Sequence, residues 1–186
     1  MPRAASELTH DEGTFLALLV RIQPATAYQI SKIYADSPVS NFGTSKGKIY
    51  PMIRRLKERG LLSSRLVGGD GRKSEVLKAT ARGRDAVRKW VMQIKREYLL
   101  PEDPLRTMVQ SFELLSKDEQ LGWISSARAG LEAKLVELDE YGASVHVPFK
   151  EQVHDNAVTL LIARMAWLDR VEESVSRRAI ASRPPK

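Results

Sequence analysis

The sequence predicts a mainly α-helical fold in two parts: three helices with a two-stranded β-hairpin, and then long antiparallel helices. Three observations predict it. Apolar residues recur at helical spacing over most of the chain, a glycine-rich turn at residues 68–71 separates two short extended stretches, and the charge changes sign across Leu99-Leu100-Pro101-Glu102-Asp103-Pro104. Residues 1–100 carry 19 Lys+Arg against 9 Asp+Glu, net +10, and the rest carries 11 against 14, net −3. That break divides the chain into an expected first domain at 10–98, an all-helical domain at 99–181 and a frayed tail at 182–186.

The elements follow in order. Phe15, Leu16, Leu18, Leu19 and Ile22 mark a first helix over 14–22, closed by Pro24. Thr26 with Gln29 has capping-box spacing, so a second helix starts near Ala27, carries Tyr28, Ile30, Ile33 and Tyr34, and ends before Ser37-Pro38. Ser45 is placed to cap a third helix whose apolar face is Ile49, Met52, Ile53 and Leu56 and which stops at Gly60. Pro51 lies inside it and should kink its first turns against the Gly47 carbonyl. Residues 61–67 and 74–79 read as the strands of a hairpin with a basic tip at Arg72 and Lys73, and Thr80 caps a helix running to about Tyr98.

Beyond the break, Asp103 and Pro104 open a short helix to about Leu115, and Ser116 with Glu119 forms another capping box. From Leu121 through Ile124, Arg128, Leu131, Leu135, Leu138, Gly142 and Val145 the steps alternate three and four, a heptad pattern with Arg128 and Gly142 as its flaws. After His146-Val147-Pro148 the pattern resumes with Val153, Ala157, Leu160, Leu161, Trp167, Leu168, Val171 and Val175.

Composition narrows the function. With no cysteine among 186 residues there is no disulfide, thiolate metal site or thiol nucleophile, which fits a reducing cytoplasm. The apolar run at 15–20 is far shorter than the roughly 20 residues a membrane span needs, and the N-terminus lacks the order of a signal peptide, so no membrane partner is expected. Between residues 46 and 96, 16 basic residues face 4 acidic ones, which points to a polyanion. No catalytic constellation or phosphate loop occurs, and the single Glu151/His154 pair is too little for a metal site; neither enzyme activity nor a cofactor is expected.

Three helices and a glycine-turned hairpin, with the third helix basic on its exposed face, is the order of a winged helix-turn-helix, whose third helix enters the major groove. The tract Ser45-Lys46-Gly47-Lys48-Ile49-Tyr50-Pro51-Met52-Ile53-Arg54-Arg55 resembles the recognition-helix signature of PadR-type transcriptional regulators, its Tyr-Pro and Arg-Arg pairs being the distinctive part. Pro24 before Tyr28-Gln29-Ile30, and Thr80-Ala81-Arg82-Gly83 after the wing, are similar to that family too. The resemblance covers residues 15 to about 90; beyond Leu100 only an all-helical dimerisation region of the PadR and virulence-activator group is similar. It implies a homodimeric, double-stranded-DNA-binding repressor, with a small planar aromatic effector in some members. Lys48 stands where the family has a small hydroxyl residue, and Val76 and Leu77 replace aromatics of the wing, so no operator sequence carries over.

On that reading Lys46 and Lys48, in the first turn of the recognition helix, reach base edges or phosphates, and Ser45 caps the helix or meets a phosphate. Tyr28 and Tyr50 either give their hydroxyls to phosphates or half-bury their rings. Arg54 and Arg55 lie further along the helix, and Arg65, Arg72 and Lys73 are the wing's phosphate or minor-groove candidates. Leu121, Ile124, Leu131, Leu135, Leu138, Leu160, Trp167, Leu168 and Val171 are the expected dimer interface, because two helices of one subunit should leave part of both stripes exposed. A two-fold dimer calls for an inverted-repeat operator. A sequence-tolerant architectural DNA-binding protein and a dimeric protein-interaction adaptor are the alternatives.

Overall fold

The computed structural model describes residues 7–40, 42–69, 72–100, 102–144 and 147–181, with the side chains at 69, 72, 73 and 178–181 excepted. It divides into two compact units, Met1–Leu100 and Pro101–Lys186. The tail expected at 182–186 lies outside the described residues.

The first unit runs α1 (His10–Ile22), β1 (Ala25–Thr26), α2 (Ala27–Ala35), α3 (Lys46–Glu58), β2 (Leu62–Gly69), β3 (Arg72–Ala79), α4 (Ala81–Val91) and α5 (Arg96–Leu99). α1 starts four residues before the expected 14, because Thr9 and Glu12 form a capping box that satisfies amides of its first turn. The hairpin gains a third strand: β1 pairs antiparallel with β3, Ala25 opposite Leu77 and Thr26 opposite Val76, giving the order β1-β3-β2. Since Thr26 also caps α2 through Gln29, the start of that helix is tied to the wing. Gly60 ends α3 with φ +66 in the left-handed region.

α3 is one helix through Pro51; the donor lost there would have reached the carbonyl of exposed Gly47, which water can serve instead. One expectation for this unit is corrected. The helix after the wing ends at Val91 rather than near Tyr98. Ala86, Val87 and Trp90 pack on the core, but Val91 and Ile94 are 63% and 79% exposed, so no buried face carries the helix further. The core is closed by Phe15, Leu16, Leu19, Ile30, Ile49 and Leu56, each at most 1% exposed. Burial of each such side chain stabilises the unit by about 1.5–3 kcal/mol. Tyr34 joins α2 to α1 by donating its hydroxyl to the Thr14 carbonyl at 2.7 Å, and burial pushes that hydroxyl up to about 12.

The second unit contains α6 (Pro104–Val109), a 3-10 turn at Phe112–Leu114, α7 (Lys117–Ser144) and α8 (Lys150–Ala181). α6 is shorter than the expected run to Leu115, since the chain turns to bury Phe112 edge-on to Trp123 at 5.1 Å. α7 and α8 bury residues at heptad steps, Ile124, Leu131 and Leu138 with Leu161, Leu168 and Val175, in one shared core. Ile124, Leu131, Leu138 and Leu168 were expected at a dimer interface; they are at most 7% exposed and buried within their own chain, because the antiparallel hairpin closes over one stripe of each helix.

The two flaws in the α7 heptads have partners on α8. Arg128 is ion-paired with Asp169 at 2.7 Å and Glu172 at 2.8 Å, and those carboxylates, Glu172 foremost, hold its guanidinium above arginine's ordinary value. Gly142 leaves room for His154: a Cβ there would lie 3.0 Å from its Nδ1, while Nε2 meets Asp139 at 3.3 Å. A charge pair near one end and a ring over a glycine near the other set the register of the hairpin.

Candidate nucleic-acid interface

At about 100° per residue, α3 divides into four strips. Ile49, Met52, Ile53 and Leu56 are its buried stripe, and Gly47, Arg54 and Glu58 form the exposed ridge opposite. Between them lie two basic flanks, Lys46, Tyr50 and Lys57 on one side and Lys48, Arg55 and Arg59 on the other. The contacts of the two flanks differ.

The first flank opens on a concavity of about 350 Å³ between α2 and α3, whose lining includes Tyr28, Ser31, Lys32, Lys46 and Tyr50. Tyr28 is 73% and Tyr50 53% exposed, which decides against half-buried rings. Lys32 pairs with Asp36 at 3.0 Å, a hydrogen bond that raises its ammonium above its ordinary value. Ser45 stands at the N-cap position, exposed, and its hydroxyl makes no capping hydrogen bond among the described residues. Further along, Lys57 bonds Glu75 of β3 and so links recognition helix to wing; that bond, with one from Ser64, holds the Glu75 carboxyl below the ordinary carboxylate range.

The second flank is held by the first turn of α1. Glu12, whose side chain is 5% exposed, takes Arg59 Nη1 at 2.9 Å and faces Arg55 Nε at 3.6 Å, and Asp11 takes Lys48 Nζ at 3.0 Å. Arg59 also donates to the Glu7 carbonyl at 3.1 Å. The expected DNA-contact residues are thus not equivalent. Tyr28, Lys46 and Tyr50 come together at one cleft beside Ser45; Arg54 lies on the outer ridge, 4.0 Å from Glu58; Lys48 and Arg55 are turned to α1 instead. Arg65 is exposed on β2 opposite Val76, and the side chains of Arg72 and Lys73 lie outside the described residues. Arg59 is expected only on the basic face of the third helix, and Asp11 and Glu12 are not anticipated, although Thr9 and Glu12 carry the same capping-box spacing as Thr26 and Gln29.

A winged head with its recognition helix seated in this way has known counterparts. Residues 15–89 match the family model described as transcriptional regulator PadR-like family. The chain carries a PadR-like domain. Among solved structures, Bacillus subtilis PadR in complex with operator DNA is similar at TM-score 0.75 and 18% identity, over 88% of this chain and 98% of that one. Bacillus subtilis PadR in complex with p-coumaric acid is similar at 0.72 and 17% identity, over 89% and 98%. The PadR-like regulator BC1756 from Bacillus cereus follows at 0.68 and 19%, over 92% and 99%. At these identities the likeness is one of fold, and the matched share reaches past the PadR-like domain into the helical unit. Comparison with curated proteins finds no match.

In the helical unit, Leu121, Leu135, Trp167 and Val171 are half-buried and Leu160 is 49% exposed. Val153, Leu160, Trp167 and Val171 form a second apolar stripe on α8, beside the one that faces α7. Trp167 also lines a concavity of about 630 Å³ with Phe112, Lys117 and Arg170. Among the described residues no helix is long and apolar enough to cross a membrane, and no group of three His, Asp or Glu is placed to hold a metal.

Proposed function

We propose that this protein is a sequence-specific double-stranded-DNA-binding transcription regulator that works in the cytoplasm as a homodimeric repressor. The observation that carries this reading is the cleft between α2 and α3, where Tyr28, Lys46 and Tyr50 converge beside the exposed ridge of α3. Two phenol hydroxyls and an ammonium around one concavity suit a backbone phosphate, and the ridge next to it is then aimed at base edges. The PadR complex with operator DNA supports the same use of the fold.

Dimerisation is supported by the second stripe of α8. Val153 and Leu160 are 56% and 49% exposed on that stripe, and a second copy covers it. Leu160→Glu should then give a folded monomer, whereas Leu168→Glu should unfold the helical unit; light scattering with circular dichroism separates the two results. A small aromatic effector that releases the DNA completes the proposal. The concavity beside Trp167, with Lys117 and Arg170 at its edge, is suited to a planar acid, and a relative of this fold is seen with p-coumaric acid.

The test is a titration of the protein into a duplex bearing its own upstream region and into a scrambled duplex of equal length. With on the order of 8 phosphate contacts per dimer, log K should fall with log salt at a slope near −7, and the upstream duplex should bind at least ~10³-fold tighter than the scrambled one. Equal binding to both contradicts sequence specificity and favours an architectural protein. Binding to neither contradicts the DNA assignment and leaves the adaptor.

A further inference from the structure

The two carboxylates at the start of α1 meet basic residues of the same helix under different conditions. Glu12 is 5% exposed and shared by the Thr9 amide, Arg59 and Arg55, so it is part of the fold. Asp11 and Lys48 are 38% and 44% exposed at their side chains and meet at 3.0 Å, with the Lys48 ammonium also 5.7 Å from the centre of the Phe42 ring. An ion pair half in water is worth little and is easily exchanged. A phosphate offers the ammonium the same charge and better acceptors.

We infer that Asp11 is a built-in competitor for DNA phosphate: its carboxylate holds Lys48 in the unbound protein and gives it up when a duplex arrives. Lys48 sits in the first turn of the recognition helix, where a side chain that swings outward reaches the nucleic acid. Exchange of carboxylate for phosphate costs the protein one ion pair at each binding event, so Asp11 lowers affinity for every duplex while leaving the fold intact. This inference rests on the DNA-binding reading above and assigns Asp11 and Lys48 a regulatory part in it.

The experiment is a double-mutant cycle read by fluorescence anisotropy on the upstream duplex, using the full chain as wild type, Asp11→Asn, Lys48→Ala and the double variant, each checked by thermal melting. Asp11→Asn should bind roughly two- to five-fold tighter than wild type, with unchanged melting, and this gain should vanish in the Lys48→Ala background. Loss of the gain on removing Lys48 identifies the competition. No tightening in Asp11→Asn, or equal tightening with and without Lys48, overturns the inference, the second result showing that Asp11 acts only as a distant charge. If wild type binds neither the upstream nor a scrambled duplex, the DNA reading itself fails and the inference falls with it, a result distinct from the other two.

Discussion

The two flanks of the recognition helix show how one stretch of basic residues is put to two uses. Lys46 and Tyr50 look across an open cleft to Tyr28, with nothing of opposite sign built against them in that concavity. Lys48, Arg55 and Arg59, at the same distance round the helix on the other side, meet Asp11 and Glu12. What separates the flanks is the neighbour: α2 presents alanines, a serine, a tyrosine and a lysine, α1 presents a turn with two carboxylates. A basic residue on a DNA-reading helix is therefore a candidate contact only after its intramolecular partners are known. α8 repeats the lesson with apolar residues: Leu161 and Leu168 are buried against α7, while Leu160, one position away in sequence, stays half exposed.

The comparison breaks most visibly at Glu12. Glu12→Ala removes the buried carboxylate that serves the Thr9 amide, Arg55 and Arg59, and leaves Arg59 short of its partner. Because Arg59 keeps about a quarter of its side chain in water, the expected loss is on the order of 2 kcal/mol rather than the full cost of breaking a buried pair. Urea unfolding measures it, and a loss no larger than that of Asp11→Asn would mean that the α1 flank is not an anchor. A much smaller effect belongs to the link on the other flank. Glu75 has its carboxyl depressed by the Lys57 bond, so its contribution is present above the unfolded value of 4.5 and is lost as pH falls through the lower folded value. Glu75→Gln should cost no more than about 0.5 kcal/mol at neutral pH, since both partners are more than a third exposed, and nothing in acid below the folded value. Denaturation followed between acid and neutral pH reads both arms; a cost that persists in acid would show that packing, and not charge, joins helix to wing.

Much of the fold is legible in the sequence because it is local. The capping boxes at Thr26 and Ser116, the N-cap of Thr80 and the left-handed Gly60 are each set by residues a few positions apart. β1 is not legible in this way, since two residues have no periodicity and become a strand only when β3 is beside them. Phe149, with φ 57 before α8, likewise carries no signal in an aromatic side chain. Arg128 and Gly142 read as defects along one helix and become its register marks once Asp169, Glu172 and His154 are opposite. The candidate site divides along the same line. Lys46, Tyr50 and Tyr28 follow from helical spacing and chemistry, but the capture of Lys48 and Arg55 by α1 depends on charges more than 30 positions away, which no local pattern contains.

The measurement that tests the account most directly sets Lys46→Ala against Arg55→Ala on one upstream duplex, with melting temperatures taken on the same samples. Lys46→Ala should weaken binding about tenfold and reduce the salt slope by about one, with melting unchanged. Arg55→Ala should weaken it less than about threefold, with at most a small fall in melting temperature, because its guanidinium faces Glu12 across a half-exposed pair. Stronger loss of binding in Arg55→Ala than in Lys46→Ala, with melting unchanged in both, would contradict the division of the recognition helix into a reading flank and an anchored one.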